Sequence, residues 1–162
     1  MPIRALKMVL LAFVAVLCLV YAAQNLVNLQ AAHGFVAGMS GMVGHEAYPE
    51  RIGPAVTAPL LTWSMLGLII ALELAAGVCA AKGACDLWRA RRAPADAFHR
   101  AKQWGVFGCG LGIVIWFGIF SAIGGAYFQM WQIPAGAAVL ENAFWFSAQL
   151  GIILLVVIAP DA

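Results

Sequence analysis

Glu73 is an acidic side chain deep inside a long apolar stretch of this 162-residue sequence, nine residues before the next basic residue, Lys82. In a helix that spacing is about 13 Å along the axis, which puts the carboxyl group near the middle of a bilayer. Such a group is costly unless it is neutralised, faces other protein groups or meets a partner. No Lys, Arg or His reaches that depth, so we expect a neutral partner, and the indole N–H of Trp116 is the candidate.

Three roles are open for Glu73. It could be the acid of a proton-coupled transport site, a contact to another subunit, or a protonated side chain that fixes helix register within the bundle. The last role needs no function, because an acid that its surroundings keep protonated can still donate a hydrogen bond. The intramembrane polar candidates are therefore Glu73 and Trp116.

Small residues recur at helical spacing near Glu73 and on a second apolar stretch. In membranes such residues let two helices approach closely. The candidates for helix packing are Gly67, Ala71, Ala75, Gly108 and Gly112. They predict close packing between helices and do not identify the partner.

Two histidines and two methionines before the second apolar stretch could bind a soft metal. Thioether and imidazole groups suit Cu(I), and the candidate ligands are His33, Met39, Met42 and His45. Their spacing matches no metal motif, and the methionines equally suit a short helix at the membrane interface. We therefore predict no metal site.

The sequence contains no constellation of catalytic or cofactor-binding residues. No histidine lies inside an apolar stretch to ligate haem, and neither of the glycine motifs that bind nucleotide phosphates occurs. The Ser, His and Asp residues are scattered over both predicted sides of the membrane, which argues against a hydrolytic triad. We predict no cofactor and no enzymatic activity.

Four apolar stretches must position these residues. The sequence is 64% hydrophobic and 10% charged, whereas soluble domains carry about 25% charged residues, so lipid must be the solvent for much of it. The stretches cover about residues 3–24, 60–81, 104–128 and 143–159. The predicted loops are 25–59, 82–103 and 129–142, with a short interfacial helix around 35–43. We predict a single all-α membrane domain over 1–162 with four transmembrane helices.

The basic residues predict the orientation of these helices. Arg51 lies in the loop 25–59, and every other Lys and Arg lies at the very start of the first stretch or in the loop 82–103. Positively charged loops stay in the cytoplasm, so both termini are predicted to be cytoplasmic. Topology and contact with anionic headgroups explain the basic loop, and we predict no binding of nucleic acid.

The first stretch has an alternative interpretation. Arg4 and Lys7, followed by an apolar run and small residues, are typical of a secretory signal peptide, whose cleavage would leave three spans. The run is long for a signal peptide, and Gln24 and Asn25 could continue a helix past the interface. We favour a retained helix.

The end of the third stretch carries a distinctive motif. Residues 124–132 have the pattern GG-x-x-F-x-MWQ, which resembles the signature of a bacterial family of predicted small four-helix integral membrane proteins of unknown function. The segment 98–102 and the acid in the second stretch, Glu73, are similar to that family as well. Members tend to carry Glu at the position of Ala126 and Trp at the position of Leu72, and this chain departs from them there.

The resemblance covers essentially the whole chain. It implies four spans and a multi-pass protein of the bacterial cytoplasmic (inner) membrane. It transfers no catalytic residue, because none is established for the family.

Two functions are compatible with these observations. The leading hypothesis is an accessory or scaffolding subunit of a larger inner-membrane complex, since the chain has little mass outside the bilayer and one buried acid without a charged partner. The alternative is a small oligomeric proton-coupled transporter that uses Glu73 as the coupling acid. The expected partners are the lipid bilayer and either other membrane subunits or further copies of this chain.

Overall fold

The regular structure of the described residues is helical. The computed structural model describes residues 2–161, the side chain of Pro2 excepted, and within that range it contains no strand. Four helical stretches are long and apolar enough to cross a membrane: Ile3–Val27, Pro59–Arg89, Ala95–Tyr127 and Pro134–Ile158. The predicted all-α class with four membrane-crossing helices is therefore confirmed.

The first span is a long helix with one local break. Helix α1 covers Pro2–Val27 and α2 covers Leu29–Ser40. At Asn28 the backbone leaves helical geometry, with φ −108° and ψ 36°, yet its amide still donates to the carbonyl of Gln24 at 3.0 Å. Because helical hydrogen bonds pass through the break, α2 continues α1 into the first part of the predicted loop 25–59.

The second span is α3, which covers Pro59–Arg89 and so extends beyond its predicted apolar stretch at the C-terminal end. A proline suits the first helical turn, where its missing N–H leaves no intrahelical bond unmade. After α3 the chain turns at Pro94 into the short α4, Ala95–Arg100, and then into α5, Gln103–Ile113. Most of the predicted inner loop is thus helical, in two pieces joined at Pro94.

The third span changes helical geometry halfway along. Helix α5 passes without a gap into a π-helix, Val114–Tyr127, in which each turn is wider than an α-helical turn. The Ser121 hydroxyl donates to the carbonyl of Trp116, five residues earlier, at 3.1 Å. π-Helical turns are rare and are often found at functional sites. In this protein the π-helix contributes one wall of the cavity described below.

A tight turn joins the third and fourth spans. Gln129 adopts a left-handed conformation with φ 54°, and a 3₁₀ turn at Met130–Gln132 leads into α6, Pro134–Ile158. Helix α6 therefore begins well before the predicted start of the fourth span at 143. Polar side chains such as Asn142 interrupt the apolar run there, but they do not interrupt the helix, because hydropathy marks contact with lipid and not the helix boundary.

Backbone-to-backbone packing joins the second and third spans. The spans form a ring in which α1 lies along α3, α3 along α5, α5 along α6, and α6 also contacts α1. A Cβ atom on Gly83 would overlap the backbone of Gly105, and one on Gly108 would lie 2.6 Å from the amide nitrogen of Ala80. Glycine at these positions is what allows α3 and α5 to approach so closely.

The apolar core is shared by all four spans. Its buried members include Leu11, Val14, Cys18, Ala76, Ala80, Cys109, Ile115, Leu150 and Val157. The first three belong to α1. Removal of the first stretch as a signal peptide would take part of the core away, and its retention stays a prediction.

Buried charges hold the two ends of the chain together. Lys7 donates to Oδ1 of Asp161 at 2.8 Å, and Lys102 contacts Oδ2 of the same carboxylate. Both ammonium groups also donate to the carbonyl of Ala159, at 2.6 and 2.7 Å. The start of α1, the end of α6 and the α3–α5 connection therefore lie at one end of the bundle, which we call the basic end.

Candidate binding cavity around Glu73

Glu73 lies midway along α3, is 2% exposed, and borders a cavity of about 200 Å³. Every span contributes to the lining, which consists of Tyr21, Asn25, Phe35, Glu73, Trp116, Phe120, Val139, Asn142, Ala143 and Phe146. The acid is therefore enclosed by this chain itself, and it does not need a second subunit to shield it from lipid.

The hydrogen-bond partner of Glu73 is Asn25. The side-chain amide of Asn25 donates to Oε2 of Glu73 at 2.9 Å. The predicted partner is the indole N–H of Trp116. Within residues 2–161 this group makes no hydrogen bond to the acid, so the prediction is wrong. Helix α1 packs directly along α3 and brings Asn25 beside Glu73, whereas the Trp116 ring packs against two other aromatic rings.

The sequence carries a signal for Asn25. Asn25 lies four residues after Tyr21, so both side chains share one face of α1. A polar amide at the end of an apolar run needs a hydrogen-bond partner when it is buried. Sequence alone, however, does not give the register of α1 against α3, which decides that the partner is Glu73.

Three aromatic side chains from three spans form one wall of the cavity. The ring centroids of Tyr21 and Phe146 are 5.3 Å apart, those of Trp116 and Phe146 5.4 Å, and those of Tyr21 and Trp116 6.0 Å. All three pairs meet edge to face, the arrangement that aromatic quadrupoles favour. We call this group the aromatic triad. Its mutual contacts hold the rings in place around the acid.

The cavity contains an acid without a base. In the described part of the chain no Lys, Arg or His lines it, and Tyr21 is the second titratable side chain on its wall. Cys18, one turn earlier on α1, is the nearest further titratable group of that helix. Asn25 occupies Oε2 of Glu73, and no described residue donates to Oε1. The site can therefore accept one proton or one cation.

Two of the small residues predicted to pack lie at contacts between spans. Gly108 faces Ala80 of α3, and a Cβ on Gly112 would lie 2.7 Å from Leu150 of α6. Both positions bring the third span against a neighbouring helix of the same chain.

The other three small residues form an exposed face of α3. Gly67, Ala71 and Ala75 are all exposed, and a Cβ on Gly67 would meet nothing within 4 Å in the part of the chain that the structure describes. We call these residues the Gly67 face. At 100° per residue, Ala71 and Glu73 point roughly 160° apart, so the face and the cavity lie on opposite sides of α3.

The four candidate metal ligands do not come together at one point. Nε2 of His33 bonds the hydroxyl of Thr62 at 2.9 Å. Met39 and Met42 pack in an apolar cluster with residues of the turn before α6, and His45 is buried separately in the loop that follows α2. Among residues 2–161 no group of three or more His, Cys, Asp or Glu is placed to hold a metal ion.

The motif at 124–132 forms the turn between the third and fourth spans. The sulfur of Met130 lies against Gly124, where a Cβ would come within 2.5 Å of it. Trp131 packs edge to face on Tyr48, with ring centroids 5.0 Å apart. The motif therefore ties this turn to the loop that follows α2, at the end of the bundle opposite the basic end.

Four apolar helices around an enclosed acid define the class of this chain: it is a small integral membrane protein. The chain belongs to the family described as Predicted small integral membrane protein (DUF2165), whose profile matches residues 3–160. The family resemblance of the sequence is therefore confirmed, and the family description carries no activity. No curated protein and no solved structure matches the chain.

Proposed function

We propose that this protein is a small proton-coupled transporter that acts as an oligomer, with Glu73 as the coupling acid. The position of Glu73 carries the proposal. The side chain is buried midway along α3 and faces a cavity of about 200 Å³, and one carboxyl oxygen receives no hydrogen bond from the described residues. A binding site needs a concave, mostly apolar space with a polar group directed into it, and this cavity has both.

The carboxyl group of Glu73 can hold a proton or a substrate, but not both at once. An ionised carboxylate in an apolar space without a cation is costly, so the empty site carries a proton. A substrate that binds Oε1 displaces that proton, and the reverse exchange on the other side of the membrane restores it. Asn25 holds Oε2 in both states and keeps the carboxyl group in one orientation.

We further propose binding and transport in place of catalysis. The polar groups of the cavity are one acid, Glu73, one phenol, Tyr21, one indole N–H, that of Trp116, and the amides of Asn25 and Asn142. This set can orient a ligand, but it lacks a nucleophile paired with a base. We also propose that the protein lies in the bacterial cytoplasmic membrane with the basic end inside, and the family resemblance and the charge of the basic end support this proposal.

The test uses the full chain reconstituted in lipid vesicles with an imposed pH gradient. The vesicles are offered an equimolar mixture of small amines, carboxylates and sugars, and mass spectrometry identifies any compound that crosses. We expect gradient-driven movement of at least one compound with the wild type and with Glu141→Gln, which removes an exposed acid, and none with Glu73→Gln. Movement that Glu73→Gln leaves intact, or no movement of any compound, contradicts the proposal.

The accessory-subunit hypothesis is the second candidate, and the Gly67 face favours it. A stripe of small residues on an exposed helix surface suits close contact with another transmembrane helix. Because this face points away from Glu73, the two hypotheses concern different surfaces. Purification in mild detergent, followed by mass spectrometry, should recover a stoichiometric partner from the wild type and from Glu73→Gln, and lose it with Gly67→Leu. Recovery of the chain alone in every case contradicts this candidate.

A further inference from the structure

We propose that the cavity takes a small tertiary or quaternary ammonium cation, with Glu73 as its counter-ion and the aromatic triad as its wall. The inference rests on the proposed function and names the substrate class of that same site. It follows from three properties of the cavity: its charge, its aromatic lining and its size, together with an apolar groove between two of the helices that line it.

The charge of the cavity selects a cation. Glu73 is the acid on its wall, and no basic side chain among the described residues lines it. An anionic ligand would meet a like charge in an apolar space, and a neutral ligand would leave the acid without a counter-charge. A cation at Oε1 supplies the charge that the chain lacks, and the proton of the empty site leaves as the cation binds.

The aromatic lining selects an ammonium group with apolar substituents. The faces of Tyr and Trp rings attract a cation within about 6 Å of the ring centre, and the attraction is larger where water is excluded. The triad brings Tyr21, Trp116 and Phe146 to the same cavity as Glu73, with centroids 5.3 to 6.0 Å apart. Methyl or benzyl groups on the nitrogen fill the apolar space that a metal ion would leave empty.

The size and position of the cavity fit a lipophilic amine. At about 30 Å³ per water molecule, 200 Å³ is the volume of about seven waters, and because covalently bonded atoms lie closer together than separate water molecules, it corresponds to a ligand of on the order of ten non-hydrogen atoms. A second, apolar groove lies between α1 and α6, two of the helices that line the cavity, and is lined by Phe13, Leu17 and Ile153 among others. An ammonium cation with an apolar substituent partitions into the bilayer with its charge at the headgroup level, and this groove offers the substituent an apolar surface between the two helices.

The experiment measures binding of benzyltrimethylammonium to the full chain in detergent or nanodiscs by isothermal titration calorimetry. Neopentylbenzene, which has the same shape and no charge, is the matched ligand. We expect saturable binding of the cation, at least tenfold weaker binding of the neutral compound, and loss of cation binding in Glu73→Gln. Trp116→Leu should weaken binding about threefold to tenfold and Trp116→Phe less, while Glu141→Gln should bind as the wild type does.

Two results overturn the inference. One is equal affinity for the cation and the neutral compound, and the other is unchanged cation binding in Glu73→Gln. Glu73→Gln keeps an oxygen that can accept the hydrogen bond from Asn25. If its unfolding temperature matches that of the wild type, its loss of binding comes from the missing carboxyl group and not from unfolding.

The inference and the proposed function fail in different ways. Movement of a small primary amine across the vesicle membrane, dependent on Glu73, with no binding of the ammonium probe, overturns the inference and leaves the proposed function standing. Binding of the probe that depends on Glu73, with no gradient-driven movement of any compound, supports the inference and overturns the transport function.

Discussion

The side-chain amide of Asn25 donates a 2.9 Å hydrogen bond to Oε2 of Glu73 and so joins the end of α1 to the middle of α3. The bond satisfies one oxygen of a buried acid that lines the cavity, and the other oxygen receives no hydrogen bond from the described residues. It also ties the stability of the bundle to the geometry of the proposed site, because the same bond contributes to both.

Replacing Asn25 by Leu should destabilise the protein and disturb the site. Removal of a hydrogen bond to a buried acid costs about 1–3 kcal/mol, since the acid loses its donor. The measurement is the free energy of unfolding in mixed micelles. Asn28→Leu is the matched control, because Asn28 is exposed and bonds only within its own helical turn, to Gln24. Equal losses in the free energy of unfolding for the two variants would show that the hydrogen bond to Glu73 does not contribute to stability.

Asp161→Asn should destabilise the basic end of the bundle. The change leaves Lys7 and Lys102 buried without a counter-ion, and breaking a buried pair costs about 3 kcal/mol or more. Asp86→Asn removes the acid of the more exposed pair with Lys82 and should cost less than about 1 kcal/mol. Thermal unfolding in detergent compares the stability of the two variants. A loss of stability for Asp86→Asn as large as that for Asp161→Asn would show that the buried pairs of Asp161 contribute no more than the exposed pair.

Acid should weaken the same end of the protein. Burial alone raises the pKa of Asp161, but the hydrogen bonds and charges of Lys102 and Lys7 outweigh it and hold the pKa below its ordinary value. The stabilisation is therefore complete above the ordinary aspartate pKa and is lost as the pH falls through the lowered pKa of the folded state. We expect the unfolding temperature of the wild type to fall below about pH 4, more steeply than that of Asp161→Asn. If the unfolding temperatures of the two proteins fell in parallel as the pH is lowered, the prediction would be contradicted.

Gly83→Ala should loosen the contact between α3 and α5. An added Cβ at Gly83 overlaps the backbone of Gly105, which cannot move aside without displacing a helix. Gly110→Ala is the matched change on α5, where nothing in the described chain lies within 4 Å of the new atom. We expect Gly83→Ala to lower the unfolding temperature, and Gly110→Ala to leave it unchanged or raise it through the better helix propensity of Ala. A similar decrease in both unfolding temperatures would show that the contact between Gly83 and Gly105 does not account for the loss of stability.

Hydropathy predicted the four membrane-crossing helices because a bilayer imposes length and apolarity on any span. It did not predict the helix boundaries. Helix α2 and the first turns of α6 contain polar or weakly apolar residues, and their backbone hydrogen bonds keep them helical. Glu73 could be identified from the sequence, since a lone acid in an apolar span has few explanations.

The partner of Glu73 could not be predicted in the same way. Trp116 and Asn25 are both polar groups on neighbouring spans, and the choice between them depends on the register of α1 against α3. That register follows from close contacts such as Gly77 against Leu19, where an added Cβ would lie 2.6 Å from the leucine side chain. Contacts between residues so far apart in the chain leave no periodic signal in a single sequence.

The most direct test of the central claim is whether Glu73 exchanges a proton in the folded protein. Infrared difference spectroscopy of the full chain in bilayers follows the carbonyl band of a protonated carboxyl group as the pH is raised. We predict that a band is lost in the wild type and in Glu141→Gln, and that the corresponding change is absent from Glu73→Gln. Identical difference spectra for the wild type and Glu73→Gln would contradict the account, because a coupling acid must gain and lose its proton.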